Sequence, residues 1–352
     1  MKVYVIPADA HGCGHYRLIW PASALKNQGF DVTIIPPSPG NGFMATTQQT
    51  PSGAEIITGL QIPEDADVLV LQRPAHPLQP QMIELLRQNK IAVVVDMDDD
   101  MSTIHPDNVA FHMYRHQSAT PFSWKWAAES CKRATMVTTS TVALAKTYAR
   151  HGRVAVIDNY VPAATTRYEK VPTDTFGWAG TLKSHPNDLQ VLGRSVQQVI
   201  DAGHMFSIVG DGKDVKRVLR LKEEPTITGT VALSSWVKTI GDTMDVGMIP
   251  LAPTSFNSAK SRLKGIECMA AGVAWVASPR AEYRKLTRES GCGLLAENPG
   301  QWVEHLKRML TDDIFRKEQV EAGREYMKDQ TYEAQCHRWA DAWTKAYEME
   351  RG

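Results

Sequence analysis

Cysteine is scarce: five residues in 352, at positions 13, 131, 268, 292 and 336, with no Cys-x-x-Cys pair. An odd count without that spacing excludes a disulfide framework or a structural zinc site as the organising feature and fits a reducing compartment. Net charge is lacking as well, with 39 Lys plus Arg against 39 Asp plus Glu. That balance gives no general attraction to nucleic acid or to an anionic membrane, although a local basic groove stays open. No stretch approaches the ~18 apolar residues of a membrane span, and MKVYVIP opens on a core-like strand without a charged leader. The expectation is a soluble, cytoplasmic protein with no transmembrane segment. A dinucleotide fingerprint is incomplete too. GCGHYR lacks the third glycine of GxGxxG, and strand DVTII ends without the acidic residue that holds a ribose, which argues against an NAD-dependent dehydrogenase.

What is present is a packed α/β chain. Apolar residues make up 43% and charged residues 22%, and the length accommodates two domains. Continuous apolar strands are expected at 2–7, 30–35, 67–72, 91–96, 136–140 and 154–157. A glycine-containing loop at 11–16 leads into a helix at about 17–27, and another helix covers 79–89. Residues 161–175 (VPAATTRYEKVPTDT) break the pattern with two prolines and four threonines, as a domain linker does. The same grammar then restarts, with strands at 175–179, 204–209, 226–228, 246–249 and 273–277 and helices near 187–202, 234–240 and 261–271. Two doubly wound domains place their ligands at the carboxyl ends of strands, facing a shared cleft. The expected division is 1–165, 166–330 and a helix in 331–352 packing back toward the N-terminal domain. Trp302, Trp339 and Trp343 read as packing anchors of the helical tail.

The chain is organised around residues 256–278, FNSAKSRLKGIECMAAGVAWVAS. Leu263, Ile266, Met269 and Ala270 recur at helical spacing, Gly272 suits a left-handed stop, and 273–277 is a buried strand. Lys260, Arg262 and Lys264 crowd the start of the helix, where cations oppose the dipole, so an anion such as a diphosphate is the natural partner. Glu267 lies on about the same face, roughly 4.5 Å along the axis, where it can accept from sugar hydroxyls. The plain alternative is a solvated face with a Lys264–Glu267 pair.

VVVDMDDDM places Asp96, Asp98, Asp99 and Asp100 at a strand's carboxyl end. Carboxylates this close repel, so one is expected to hold its proton unless cations or backbone N–H groups offset the charge. Asp98 is the candidate to orient or deprotonate an acceptor hydroxyl, with Asp96 or Asp99 beside it. Mg²⁺ or Mn²⁺ on a DxD-like pair, and a loop with Asp as helix cap, are the other readings. Gly12 and Gly14 allow close backbone approach to a ligand or a tight turn. His15, Tyr16 and Arg17 follow toward the cleft, with Arg17 either meeting a donor phosphate or lying on the surface. His105, His112 and His116, with Trp124 and Trp126, suggest an acceptor-binding loop, each histidine taken singly also reading as a packed or exposed residue. Gly210, Asp211 and Gly212 form a turn, near the donor base or merely a turn.

In order and spacing these pieces resemble a glycosyltransferase of the GT-B fold, similar to the large retaining, family-4-like group. The residues that carry the resemblance are GCGHYRLIWPASALKNQGFDVTII, TSTVALAKTYARHGRVAVIDNYV, GWAGTL, FSIVGDG, ITGTV, DVGMIPL and GIECMAAGVAWVAS. It implies an α/β protein with two Rossmann-like doubly wound domains facing a central cleft. The C-terminal domain would hold the nucleotide-sugar donor, a UDP- or GDP-sugar, and the N-terminal domain the acceptor. It makes Glu267 the ribose-binding glutamate of a paired motif whose first member falls at Ala259. Thr181 stands where a diphosphate-clamping arginine is expected, leaving Lys183 and His185 as nearest substitutes and Lys260 and Lys264 to take over part of that work. Retention without a covalent nucleophile is implied, no cofactor is required, and Mg²⁺ or Mn²⁺ is not favoured. The acceptor is open among a modified DNA base, a protein and a glycan, as are oligomeric state and sugar. A GT-B-fold sugar-nucleotide epimerase or a catalytically silent binding protein is the alternative.

Overall fold

The structure is a computed structural model that describes residues 1–37, 44–115 and 123–352. His116 lies outside the described residues. The described residues build two six-stranded parallel sheets and one hairpin. Strands β1 (Val3–Ile6), β2 (Val32–Ile34), β5 (Val68–Gln72), β6 (Ala92–Met97), β7 (Met136–Thr139) and β8 (Val154–Val156) form the first sheet in the order β2-β1-β5-β6-β7-β8. The hairpin is β3 (Met44–Gln49) with β4 (Glu55–Gln61), antiparallel with an irregularity between Thr46 and Thr47. The second sheet is ordered β11-β10-β9-β12-β13-β14. Its strands are β9 (Thr175–Thr181), β10 (Met205–Asp211), β11 (Thr226–Ile227), β12 (Val246–Ile249), β13 (Ala274–Ala277) and β14 (Leu294–Leu295). Apolar runs such as VLVLQ and AVVVDM are buried along their whole length, because helices cover both faces of a parallel sheet.

The hairpin was not legible in the sequence, since MATTQQ is polar and exposed wherever its side chains are described. The expected loop at 11–16 is also different. Residues 12–27 are one helical run: an α turn Gly12–Gly14, a π-helical turn His15–Ile19 and an α-helix Trp20–Asn27. Gly14 is required there because a Cβ would stand 1.8 Å from the Asp9 carbonyl oxygen, so its freedom serves backbone packing rather than ligand approach. Around Gly12 a Cβ would meet nothing within 4 Å.

The chain leaves the first sheet at Val156 and enters the second at Thr175. The last helix, His337–Arg351, returns to β5, β6 and β7. Trp339 Nε1 donates to the Arg17 carbonyl at 2.9 Å, and Tyr332 Oη donates to the Tyr16 carbonyl at 2.6 Å. Trp302, Trp339 and Trp343 are at most 1% exposed, so the tail holds the π-helical turn from behind. One apolar core runs from Val3 and Val5 through Ile266 to Trp339 and Trp343, joining the two lobes. Among the described residues no helix is long and apolar enough to cross a membrane.

Candidate active site

The carboxyl ends of both sheets meet at the helix Leu263–Ala270, whose N-terminus carries no side-chain cap. Lys264 projects from its first turn. Its Nζ donates to the Ala179 carbonyl at the end of β9 and lies 5.7 Å from the centre of the Trp178 ring. Burial pulls its pKa below the usual lysine value, with Glu267 and Asp188 working in the opposite direction. Glu267 is 5% exposed. Burial raises its pKa, and Tyr16, Lys264 and the Trp236 indole restrain the rise.

The N-terminal lobe reaches this helix directly. Tyr16 Oη donates to Glu267 Oε1 at 2.6 Å. Lys260 Nζ meets Asp99 Oδ1 at 2.8 Å and lies 4.5 Å from the centre of the Phe256 ring. Thr141 Oγ1 donates to the Ala259 carbonyl at 3.0 Å, and Asn159 Nδ2 donates to Ser261 Oγ at 3.1 Å. Further along, the Val109 amide donates to the Lys183 carbonyl at 3.0 Å and Asn108 Nδ2 to the Ser184 carbonyl at 2.9 Å. His105 Nε2 and Asn187 Nδ2 lie 3.1 Å apart. The lobes are therefore closed upon each other, and the cavity beside Lys264 and Glu267 is only about 10 Å³, close to the size needed for one water.

The structure thus brings together Tyr16, Asp99 and His105 from one lobe with Lys260, Lys264 and Glu267 from the other. Other expected site residues stand elsewhere. Arg17 does not face a phosphate: it is fully buried, with Nε and Nη2 on the Asp96 carboxylate at 3.1 and 2.8 Å and Nη1 on the Ile157 carbonyl and Asn159 Oδ1 at 2.7 and 2.8 Å. Asp96 is correspondingly structural, and Thr138 Oγ1 also donates to it, at 2.7 Å. Arg262 points to the far side of its helix, where it pairs with Asp158 at 3.0 Å and with Glu289. His15 turns Nδ1 to the His11 carbonyl at 2.8 Å and its ring edge to Trp20. Asp98 is not a free base, since Arg73 Nε sits 3.0 Å from its carboxylate. Asp100 caps the turn Met101–Thr103 by accepting from the Ser102 amide at 3.1 Å. Three carboxylates of the acidic run are thus matched by cations, Asp96 by Arg17, Asp98 by Arg73 and Asp99 by Lys260.

Lys183 and Asp211 form a loose pair at 3.7 Å beyond β9 and β10. Gly210, at φ +113, permits the close approach of these strands, since a Cβ would stand 2.3 Å from the Gly180 carbonyl oxygen. Asp211 accepts from the Lys213 amide at 3.1 Å, as a turn residue does.

One group escaped the sequence reading. Arg73 directly follows β5 in a left-handed conformation, φ +48, and joins Asp98 to Asp9, both at 3.0 Å. Its signal was a charged residue immediately after an apolar strand. His185, expected as a substitute clamp, does not serve as one: burial holds its pKa down at about 4, Lys264 and Lys260 adding to the depression. It is neutral at pH 7 and supplies no positive charge.

With this geometry in view, the relationships are clear. Residues 173–312 match the family described as "Glycosyl transferases group 1". No curated protein sequence matches the chain. Among solved structures, HepE of Anabaena in complex with UDP is similar at TM-score 0.62 and 12% identity, covering 98% of this chain and all of that one. Sucrose-phosphate synthase from Thermosynechococcus elongatus is similar at TM-score 0.60 and 13% identity, with 99% and 100% covered. TarM is similar at TM-score 0.57 and 14% identity over 80% of this chain, which spans about 55% of TarM's length. The chain has the GT-B fold. The Lys264–Glu267 helix lies within the residues that match the group 1 model.

Proposed function

We propose that the protein transfers a sugar from a nucleoside-diphosphate sugar to an acceptor hydroxyl, with retention, as a family-4-like enzyme. The observation that carries this reading is the pairing of Lys264 and Glu267 within one turn at the start of an uncapped helix, inside the group 1 domain and facing the other lobe. The UDP held by HepE, a protein of the same fold, supports a nucleotide donor. Lys264, with Lys260 beside it, would stabilise the charge that develops on a leaving diphosphate, and a low-dielectric setting strengthens that effect. Glu267 would accept from ribose hydroxyls. A hydroxyl acceptor would enter from the side of Asp99, His105 and the Arg73–Asp98 pair. Its class remains the set expected from the sequence: a modified DNA base, a protein or a glycan.

Tyr16 occupies Oε1 of Glu267, so a ribose seated on that oxygen displaces the phenol and parts the lobes along their shared face. That same contact favours the second reading, a catalytically silent nucleotide-sugar binder. A thermal-shift screen with UDP, GDP, ADP and their sugars detects any ligand that binds the native state, and release of free nucleotide separates enzyme from silent binder. Lys264→Ala and Glu267→Ala are expected to lose most transfer while keeping the melting behaviour of a folded protein. Full turnover in either variant rejects the assignment.

A further inference from the structure

His185 is held in one tautomer. Asp188, 2% exposed, uses Oδ1 to accept from the Ala252 amide at 2.9 Å and from Asn257 Nδ2 at 2.6 Å, and its Oδ2 lies 3.2 Å from His185 Nδ1. A carboxylate already serving two donors fixes the imidazole hydrogen on Nδ1, which leaves Nε2 with a lone pair to offer. Among the described residues Nε2 has no hydrogen-bond partner, and it is not among the buried side-chain atoms that lack one. The ring is thus anchored at one nitrogen and presents the other to solvent, in the cleft between the lobes beside the Asn187–His105 contact.

His185 and the two lysines border one region. Asn257, which donates to Asp188 through Nδ2 at 2.6 Å, accepts the Lys260 amide on its carbonyl at 3.3 Å. Lys264 Nζ donates to the Ala179 carbonyl on β9, the strand that leads into the turn carrying His185. With a ribose on Glu267 and a diphosphate on the lysines, the part of the donor left to meet His185 is the sugar to be transferred.

We propose that His185 contacts the substrate, its Nε2 accepting a hydrogen bond from a hydroxyl of the donor's sugar. This rests on the donor-site reading above and adds the residue that distinguishes a sugar nucleotide from the bare nucleotide. His185 acts neither as a phosphate clamp, because it carries no charge at neutral pH, nor as a proton acceptor, because its basicity is too low. Both follow from burial and from the two lysines beside it.

The test compares the binding of free UDP and GDP with that of UDP-glucose, UDP-N-acetylglucosamine and GDP-mannose by isothermal titration, in the wild-type protein and in His185→Ala, His185→Gln and His185→Arg. The wild-type protein is expected to bind one nucleotide and to bind one of its sugar conjugates more tightly. Loss of one hydrogen bond to a hydroxyl in His185→Ala should weaken the conjugate about tenfold and the free nucleotide by less than about twofold. His185→Gln, which keeps an acceptor, should lie between, and His185→Arg should be no better than alanine. An equal loss for conjugate and nucleotide, no loss at all, or improvement with arginine overturns the role given to His185 and leaves the donor site standing. Failure of the wild-type protein to bind any of the five ligands overturns the donor site itself. Alanine adds no bulk, and the unfolding transition of each variant, followed by circular dichroism, shows whether a loss of binding comes from loss of the fold.

Discussion

Tyr16 and Glu267 are 251 residues apart in sequence and 2.6 Å apart in space, the phenol of one lobe donating to the carboxylate of the other. The π-helical turn His15–Ile19 makes the contact, since the extra residue per turn redirects a side chain that a regular helix would aim elsewhere. The carboxylate assigned to the ribose is therefore already in use. Tyr16→Phe removes the competitor, and its expected effect is nucleotide binding several-fold tighter, because a hydrogen bond to a charged group contributes about 1.5–3 kcal/mol at most and part returns as exposure of Glu267. Titration of UDP or GDP into both proteins measures this. Weaker binding in Tyr16→Phe would make Tyr16 part of the ligand seat instead of its occupant.

Lys264 gives a pH signature. Burial lowers its pKa, and the charged form is the one that holds a diphosphate. Nucleotide affinity should therefore fall as pH rises through a range below that of an ordinary lysine. Lys264→Arg, which stays charged throughout, should flatten that profile even where its affinity is lower. An unchanged profile in the arginine variant would remove Lys264 from the phosphate contact.

Arg17 has a different role from the one its sequence neighbourhood suggests. Removing it leaves Asp96 charged and fully buried, and breaking a buried pair in this way costs about 3–5 kcal/mol. Urea unfolding of Arg17→Met should show a loss of that size. The double variant Arg17→Met with Asp96→Leu should recover part of it. A loss below about 1 kcal/mol, the scale of an exposed pair, would return Arg17 to the surface.

His185 also marks the acid limb of stability. Its folded pKa of about 4 lies below the ordinary 6.5, so the unfolded chain binds the extra proton first. The contribution to stability is complete above pH 6.5 and is lost as pH falls toward about 4. The difference in melting temperature between wild type and His185→Gln should shrink or reverse across that window. A difference constant with pH would mean that the imidazole is not held neutral.

These contrasts show what a sequence can carry. Lys264 and Glu267 were legible as neighbours because helical spacing puts both on one turn, and the strands were legible because they open on the apolar runs VLVL and AVVV. The roles of Arg17 and Asp98 were not. The partner of Arg17 is Asp96, 79 positions away, and Asp98 is taken by Arg73, which only the closing of the sheet brings near. Local charge density left a retained proton, cations or backbone N–H groups as ways to relieve the aspartates, without showing which or from where. The helical character of GCGHY was hidden because two glycines suggest a loop, whereas Gly14 is there to admit the Asp9 carbonyl. The neutrality of His185 depends on burial and on the two lysines beside it, neither of which is visible in GTLKSHPND.

The most direct measurement is a crystal structure of the protein soaked with the nucleotide that raises its melting temperature most. The expected density places the diphosphate against Lys264 Nζ and the ribose hydroxyls on Glu267, with Tyr16 swung away. A nucleotide bound anywhere else, or a Tyr16–Glu267 contact still closed at full nucleotide occupancy, contradicts the donor site.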